Sequence, residues 1–305
     1  MKLIYSLLEI RNISYIVGLC LALIFNFSLI SPAIAESERP FAFEVVKSIS
    51  ADQSQGNDLS QKGLYEVSPP LAVQQIRSRL ADYHPQLSLE SPEKEAVLVQ
   101  GINEKWQLVL NVKDWPLVED PELGLGPHLV VQVDDLEPLR ISKAEGERIV
   151  IAMDGLGPGS HRLVAYLAYP WGEALKEPGA SMQWRIHFFR RLPETQPDTA
   201  ATWLTVSSPS DRSFVEPLLI DYLIWNAPLQ GLQEGDDQWR LRVTVNDERF
   251  LIDSQEAIWL KGLSSDQSAV EFELVDRIGD PINALFTNKL RIVSKSQSEK
   301  PFWMS

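Results

Sequence analysis

The amino-acid sequence predicts an all-β protein made of two copies of one β-sandwich, preceded by an export signal and one short α-helix. Apolar and polar residues alternate over many short segments, which is typical of strands that are buried on one side. Turn residues separate these segments. Two stretches also align without a gap: residues 155–175 read GLGPGSHRLVAYLAYPWGEAL and residues 262–282 read GLSSDQSAVEFELVDRIGDPI. The repeat therefore indicates a duplicated domain.

The first residues of the 305-residue chain predict a signal peptide. Lys2 and Arg11 precede an apolar run over 13–30, and small residues then stand at the −3 and −1 positions of a cleavage site after Ala35. A charged start, an apolar centre and an A-x-A end are typical of secretory signals. The alternative is an uncleaved membrane anchor formed by residues 13–30, since a spanning helix needs about 20 mostly apolar residues. We expect residues 1–35 to be cleaved and the protein to be exported.

The cysteine count and the net charge exclude several kinds of site and partner. Cys20 is the only cysteine and lies in the predicted signal, so the exported chain would hold no disulfide, cysteine nucleophile or cysteine metal site. The net charge of −14 repels phosphate backbones and anionic lipids. Nucleic acid is therefore not an expected partner, and neither is a membrane surface once the signal is removed.

Residues 36–85 are predicted to form a linker followed by a helix over about 69–84. Ser68 precedes two prolines and is the expected N-cap, and Pro85 would end the helix. One face of this helix carries four apolar residues at helical spacing, which are Val73, Ile76, Leu80 and Tyr83. The remaining predicted boundaries are a first sandwich over 86–191, a linker over 192–201, a second sandwich over 202–295 and a tail over 296–305.

Two motifs carry a resemblance to a known class of domain. An S-P pair stands near the start of each copy, and the line PGSHRLVAYLAYPWGEA precedes the strand WRIHF. Both copies resemble bacterial immunoglobulin-like and fibronectin-III-like domains. The tandem as a whole is similar to a group of exported proteins of oxygenic photosynthetic bacteria. The resemblance implies that the strands around Val130, Val164 and His187 share one sheet, and that the protein works in the periplasm or the thylakoid lumen.

The outer face of that sheet differs between the copies. The second copy carries Arg242, Glu271 and Glu273 at positions that face away from its core. The first copy instead carries a mostly apolar set, which is Val130, Val164, Tyr166, Ala168, His187 and Phe189. Such a face is rarely left in water. The helix over 69–84 is the cover that we expect first, and the alternatives are the other sandwich or a separate partner.

Three aromatic residues mark a second candidate surface, on loops that share one end of the first sandwich. They are Trp115, Tyr169 and Trp171, and the second copy has Ala227 and Ile278 in place of the two tryptophans. Loops at such ends commonly carry binding sites, and indole rings stack on sugars and anchor protein interfaces. The competing interpretation is that both tryptophans fold back and close the end of the sandwich.

No motif indicates catalysis, a cofactor or a metal site. The four histidines are not at metal-ligand spacing, and Ser160 and His161 are neighbours whose side chains point to opposite faces of a strand. Acidic residues over 114–122 would suit a hydrolase or calcium, but a solvated surface is the favoured interpretation. We therefore expect an exported, non-enzymatic binding or scaffolding protein with an envelope protein as its partner. The alternatives are a cell-wall carbohydrate-binding module that uses the loop aromatics, and a hydrolase that uses loop carboxylates.

Overall fold

The computed structural model describes residues 63–99, 104–119, 123–144, 146–191, 198–210, 213–227, 240–252, 254–276, 278–296 and 301–304. The predicted signal peptide and the first part of the predicted linker, up to residue 62, lie outside the described residues. Within these ranges, no α-helix combines the length and the apolar character needed to span a bilayer.

The first elements are a short strand, β1 (Tyr65–Val67), and the helix α1 (Leu71–Leu80). The helix is shorter than predicted at both ends. Pro70 itself occupies the N-cap with an extended ψ of 147°, and no side chain caps the first turn. At the other end, Pro85 disfavours helical geometry in the residue before it, and Arg77 and Arg79 in the last turn complement the helix dipole.

The first sandwich contains eight strands in two sheets. One sheet has the order β2 (Gln86–Ser91), β4 (Trp106–Lys113) and β7 (Arg148–Met153). The other has the order β3 (Val97–Leu98), β9 (Ser181–Phe188), β8 (Gly159–Ala168), β5 (His128–Val133) and β6 (Leu139–Ile141). All pairs are antiparallel except β3 with β9, which is parallel.

The second sandwich repeats this arrangement. Its first sheet has the order β10 (Trp203–Ser208), β12 (Leu218–Trp225) and β15 (Ile258–Lys261). Its other sheet has the order β11 (Ser213–Phe214), β17 (Asn288–Lys295), β16 (Gln267–Val275), β13 (Arg240–Val245) and β14 (Glu248–Ile252). A 3₁₀ turn, η1 (Phe302–Met304), follows. Two tandem immunoglobulin-like sandwiches preceded by one short helix are thus confirmed as the fold class.

Strand β1 adds a fourth strand to the second sandwich, a feature that the sequence analysis missed. It pairs antiparallel with β15, so that Glu66 lies opposite Leu260. The helix that follows packs on the first sandwich instead, with Val73 and Ile76 in the first core. The segment over 63–85 therefore contacts both sandwiches.

Each sandwich has its own core, formed by the inward phase of its strands. Leu108, Leu129 and Trp184 are fully or almost fully buried in the first core, and Val243 and Phe272 in the second. Strand β12 alternates between two environments. Ile220 and Tyr222 lie in the second core, whereas Leu219 and Leu223 pack with residues of the first sandwich.

The two sandwiches pack face to face, which stacks the four sheets in layers. The outer face of the five-stranded sheet of the first copy contacts the outer face of the sheet that contains β12. Val130, Val164 and Tyr166 form one buried cluster with Leu223, and Trp225 packs against it. The expectation that α1 covers this face was wrong. The second sandwich covers it, because α1 directs its apolar residues into the end of the first core.

Candidate functional site

The predicted apolar face is the interface between the sandwiches and is closed to solvent. Val164 is 0% exposed, and Val130, Tyr166 and Ala168 are also buried. These side chains point away from the first core, as the alternation predicted, but none is available to a separate partner in this packing. Burial, reinforced by the negative charge of Asp221, raises the pKa of Tyr166 well above its ordinary value.

A buried carboxylate anchors the loop after β8 to the second sandwich. Lys176 Nζ lies 2.8 Å from Asp221 Oδ1, and the Ala174 backbone N–H donates to Asp221 Oδ2 at 2.8 Å. The Ser207 hydroxyl donates to the same oxygen. Asp221 is fully buried, so these partners replace the water that the charge gave up. The loop is thereby held by an ion pair and by hydrogen bonds across the interface.

Arg162 makes a second polar connection between the sandwiches. It extends from β8 and donates to the Leu204 carbonyl at 3.2 Å and to Thr205 Oγ1 at 2.8 Å. Its guanidinium lies 4.4 Å from the ring centroid of Phe286 and 5.0 Å from that of Trp203. Burial lowers the pKa of Arg162 to about 10, so the group remains protonated at neutral pH and retains its cation–π attraction.

The three loop aromatics do converge at one end of the first sandwich, but they are folded inward. The Trp115 and Tyr169 rings meet edge to face at 5.7 Å, and Tyr169 stacks on Trp171 at 4.8 Å. Trp171 is only 8% exposed, and α1 packs over the cluster with Val73 and Ile76. Of the two interpretations offered by the sequence, the burial of both tryptophans favours the one in which they close the end of the sandwich, and the helix covers them. Burial also raises the pKa of Tyr169 to about 12.

A carboxylate inside this plug ties the helix to the loop. Arg77 Nη2 of α1 lies 2.6 Å from Glu173 Oε2, and the Trp171 indole N–H donates to the same carboxylate at 2.7 Å. Burial raises the pKa of Glu173, and the nearby charge of Asp221 adds to that effect. The pair spans two distant parts of the chain, and no sequence pattern identified it.

His187 and Phe189 do not form part of an open apolar face, which corrects the prediction for both. Phe189 lies one residue beyond β9, has a φ of 68° and is partly exposed. His187 is fully buried. Its Nδ1 lies 2.6 Å from Ser160 Oγ, and its Nε2 lies 3.2 Å from Glu95 Oε2.

Glu95, His187 and Ser160 therefore form a hydrogen-bonded chain that the sequence analysis missed. Glu95 also binds Arg185 at 2.7 Å and Arg191 at 3.2 Å, and the hydrogen bond from Arg185 lowers the pKa of its carboxyl group despite partial burial. Two guanidinium groups thus compete with the imidazole for one carboxylate. Neither cavity described below is lined by Ser160 or His187. These three hydrogen-bonded side chains are suited to holding the turn before β3 against β8 and β9.

The other histidines and loop acids have structural partners. His161 Nδ1 lies 2.7 Å from Asp134 Oδ2; burial opposes protonation, but hydrogen bonds to Asp134 and to the Gly157 carbonyl outweigh it and raise the pKa of His161. Asp114 accepts the His84 backbone N–H at 2.6 Å, and Glu119 accepts the Ser142 hydroxyl at 3.2 Å. No three His, Cys, Asp or Glu side chains converge as metal ligands in the described part of the chain.

Described residues line two of the cavities that open on the surface. A cavity of about 360 Å³ lies beside β9 and is lined mainly by polar and charged residues, which are Lys94, Glu95, Gln183, Arg185, Arg191 and Thr199, with Trp184. A smaller cavity of about 240 Å³ lies at the junction of the two sandwiches, and Trp171, Trp259 and Trp303 line it. Trp171 is the one residue from the predicted site that reaches either cavity.

The second copy leaves the counterpart of the buried face uncovered. Leu290 and Ile292 of β17 are 57% and 48% exposed. The register places them beside Glu271 and Ala269 on the outer face of the sheet. Arg242 and Glu273 form an ion pair at 3.0 Å on the same face. An apolar strip beside charged residues therefore remains exposed.

Comparisons with known proteins give similar folds and no family. No family model matches the chain, and no curated protein matches it. Fibronectin(III)-like modules of Clostridium thermocellum CbhA are 14% identical, with a TM-score of 0.24, over 70% of this chain and 97% of that one. The neural ectodermal development factor IMP-L2 is 6% identical, with a TM-score of 0.22, over 71% and 97%. Bacteroides ovatus SGBP-B, solved with a mixed-linkage heptasaccharide, is 9% identical, with a TM-score of 0.20, over 69% and 70%. Such low scores carry no information on function.

Proposed function

We propose that this protein is an exported, non-enzymatic scaffolding protein that binds a protein partner in the cell envelope. The signal peptide predicted over 1–35 and the resemblance of the sequence to exported proteins of oxygenic photosynthetic bacteria support the periplasm or the thylakoid lumen as its location. The buried ion pair and the apolar interface support a rigid double sandwich, which suits a protein that presents a fixed surface.

One observation supports the position of the partner site. In the first copy, the outer face of the five-stranded sheet is covered by a sheet of the second copy. In the second copy the same face is open and carries Leu251, Leu290 and Ile292 as exposed apolar residues. The packing of the first copy's face supports sheet-on-sheet packing as the way in which this face would bind. A β-sheet face of the partner protein is therefore the proposed occupant.

The proposal is tested by photo-crosslinking from the open face in the native envelope. A photo-reactive residue at Leu290 is expected to crosslink one partner, and replacing Ile292 by Lys is expected to abolish that product. Val150 provides the matched control, because it is 48% exposed on the opposite outer sheet, in β7. Equal crosslinking from positions 290 and 150, or an unchanged product after Ile292→Lys, would refute the proposal.

Carbohydrate binding remains a second candidate function because of one specific observation. Trp171 lines the junction cavity together with two further indole rings. For the hydrolase alternative, the described loop acids Asp114 and Glu119 are engaged with a backbone N–H and a hydroxyl, which offers no paired acid and base.

A further inference from the structure

Strand β7 is an open edge of the first sandwich. It pairs with β4 on one side, and no strand among the described residues pairs with its other side. The equivalent strand of the second copy is β15, and its outer side is closed by antiparallel pairing with β1. The chain itself therefore closes this edge in the second copy and leaves it open in the first.

The hydrogen-bond pattern shows which backbone groups of β7 point outward. Just before the strand, the Val112 N–H of β4 donates to the Glu147 carbonyl at 2.8 Å. In an antiparallel ladder, every second residue bonds to the same neighbouring strand. The residues in phase with Glu147 thus bond to β4, and the outward backbone groups belong to the alternate set, which is Arg148, Val150 and Ala152.

This edge lacks the features that usually prevent edge-to-edge pairing. Open edges are commonly protected by proline, by charged side chains or by very short strands. Between Arg148 and Asp154 the chain reads IVIAM, with neither a charge nor a proline. Val150 is 48% exposed, and Ile151 is only partly buried against the first core. An added strand would therefore gain backbone hydrogen bonds and cover apolar side chains.

The charges at the two ends of β7 favour a second copy of the same strand as the occupant. Arg148 lies at one end and binds Glu90 at 2.7 Å, whereas Asp154 follows the other end and lies 3.9 Å from Lys105. In an antiparallel pair centred on Ile151, Arg148 of each copy lies opposite Asp154 of the other. Opposite charges that face each other across a strand pair are stabilising. The charges at each end then alternate in sign along Lys105, Asp154, Arg148 and Glu90.

From these features we infer that two copies of this protein associate by antiparallel pairing of their β7 strands, which joins their three-stranded sheets into one continuous sheet. The same register pairs Val150 with Ala152 through their outward backbone groups and brings the two Ile151 side chains together on the core side. The contact is small beside a standard interface of about 1,600 Å², so we expect a reversible dimer with a Kd of roughly 1–100 μM. It is independent of the open face of the second sandwich.

The test exchanges charges between copies and measures self-association of the purified protein by sedimentation velocity. Arg148→Glu places like charges opposite each other at both ends of the pair, and Asp154→Arg does the same with the other sign. Each variant alone should dimerise about tenfold more weakly than the wild type, because two cross-strand charge pairs become repulsive. An equimolar mixture of the two variants restores an opposite-charge pair at each end. The mixture should therefore dimerise nearly as well as the wild type, which a variant that is merely misfolded would not do.

Val150→Pro provides a second probe, because it removes an outward N–H and no hydrogen bond to β4, and it should abolish the dimer. Ile292→Lys is the control on the open face of the second sandwich and should leave self-association unchanged. Wild-type protein that stays monomeric at roughly 1 mM would overturn the inference. So would a mixture that associates no better than its separate variants, or a dimer lost on Ile292→Lys.

The dimer is also distinguishable from a complex with an envelope partner. A photo-reactive residue at Val150 would crosslink two copies of this chain, and that product contains no second protein. The product expected from Leu290 contains the partner. Failure of either proposal is therefore recognised separately.

Discussion

At the scale of single residues, the junction is organised around buried carboxylates that each have a specific cation. Asp221 pairs with Lys176, and Glu173 pairs with Arg77. A buried charge is costly unless a counter-charge and hydrogen bonds replace its hydration, and both carboxylates meet that condition. The two carboxylates also repel each other. Burial raises the pKa of Glu173, and the negative charge of Asp221 raises it further.

The raised pKa of Glu173 predicts a pH dependence of stability. The native state holds the Glu173 proton more tightly than the unfolded state does, so the contribution of this group to the free energy of unfolding falls as pH rises through its native pKa. The stability of the wild type relative to Glu173→Gln should therefore decline as the pH rises above the ordinary carboxyl pKa of about 4.3. Denaturant unfolding of both proteins across this range measures the difference.

Glu90 provides a control of opposite sign. Hydrogen bonds from Arg148 and Asn111 lower the pKa of Glu90. The stability of the wild type relative to Glu90→Gln should therefore fall as the pH drops below about 5, since a lowered pKa gives stability that is lost on acidification. A relative stability that rose with pH for the Glu173 pair would contradict the account of that residue.

At the scale of elements, the strands of the sandwiches were predictable and their covers were not. Alternation in Leu241, Val243 and Val245 correctly assigned one side of β13 to the core, because strand periodicity reports which side is buried. The same pattern in Val164 and Tyr166 identified a second buried side, but periodicity does not specify what lies against it. Strand β1 was missed because three residues are too few to show a period.

The packing of α1 on the first sandwich can be tested by substitution. Ile76 packs in the first core beside the aromatic plug, so Ile76→Ala should lower the free energy of unfolding by about 2–4 kcal/mol. Leu71 is the matched control, because it lies on the same helix and is 64% exposed. Leu71→Ala should change stability by less than about 0.5 kcal/mol. Equal effects of the two substitutions in denaturant unfolding would show that α1 does not pack against the first sandwich.

At the scale of the whole molecule, the two copies differ in what lies against the outer face of their five-stranded sheets. The first copy uses its outer sheet face, its loop after β8 and its covering helix to pack against other parts of the same chain. The second copy keeps the corresponding face open, with Leu290 and Ile292 on it. The different residues in the two copies thus follow from one physical cause, which is the presence or absence of a covering sheet.

The two sandwiches are joined by a direct buried contact, and a double-mutant cycle on Lys176 and Asp221 tests this contact most directly. The free energy of unfolding is measured for the wild type, Lys176→Met, Asp221→Asn and the double variant. If the pair is in contact as described, the coupling energy should be about 1–3 kcal/mol. A coupling energy within about 0.5 kcal/mol of zero, as for residues far apart, would contradict the packing of the two sandwiches.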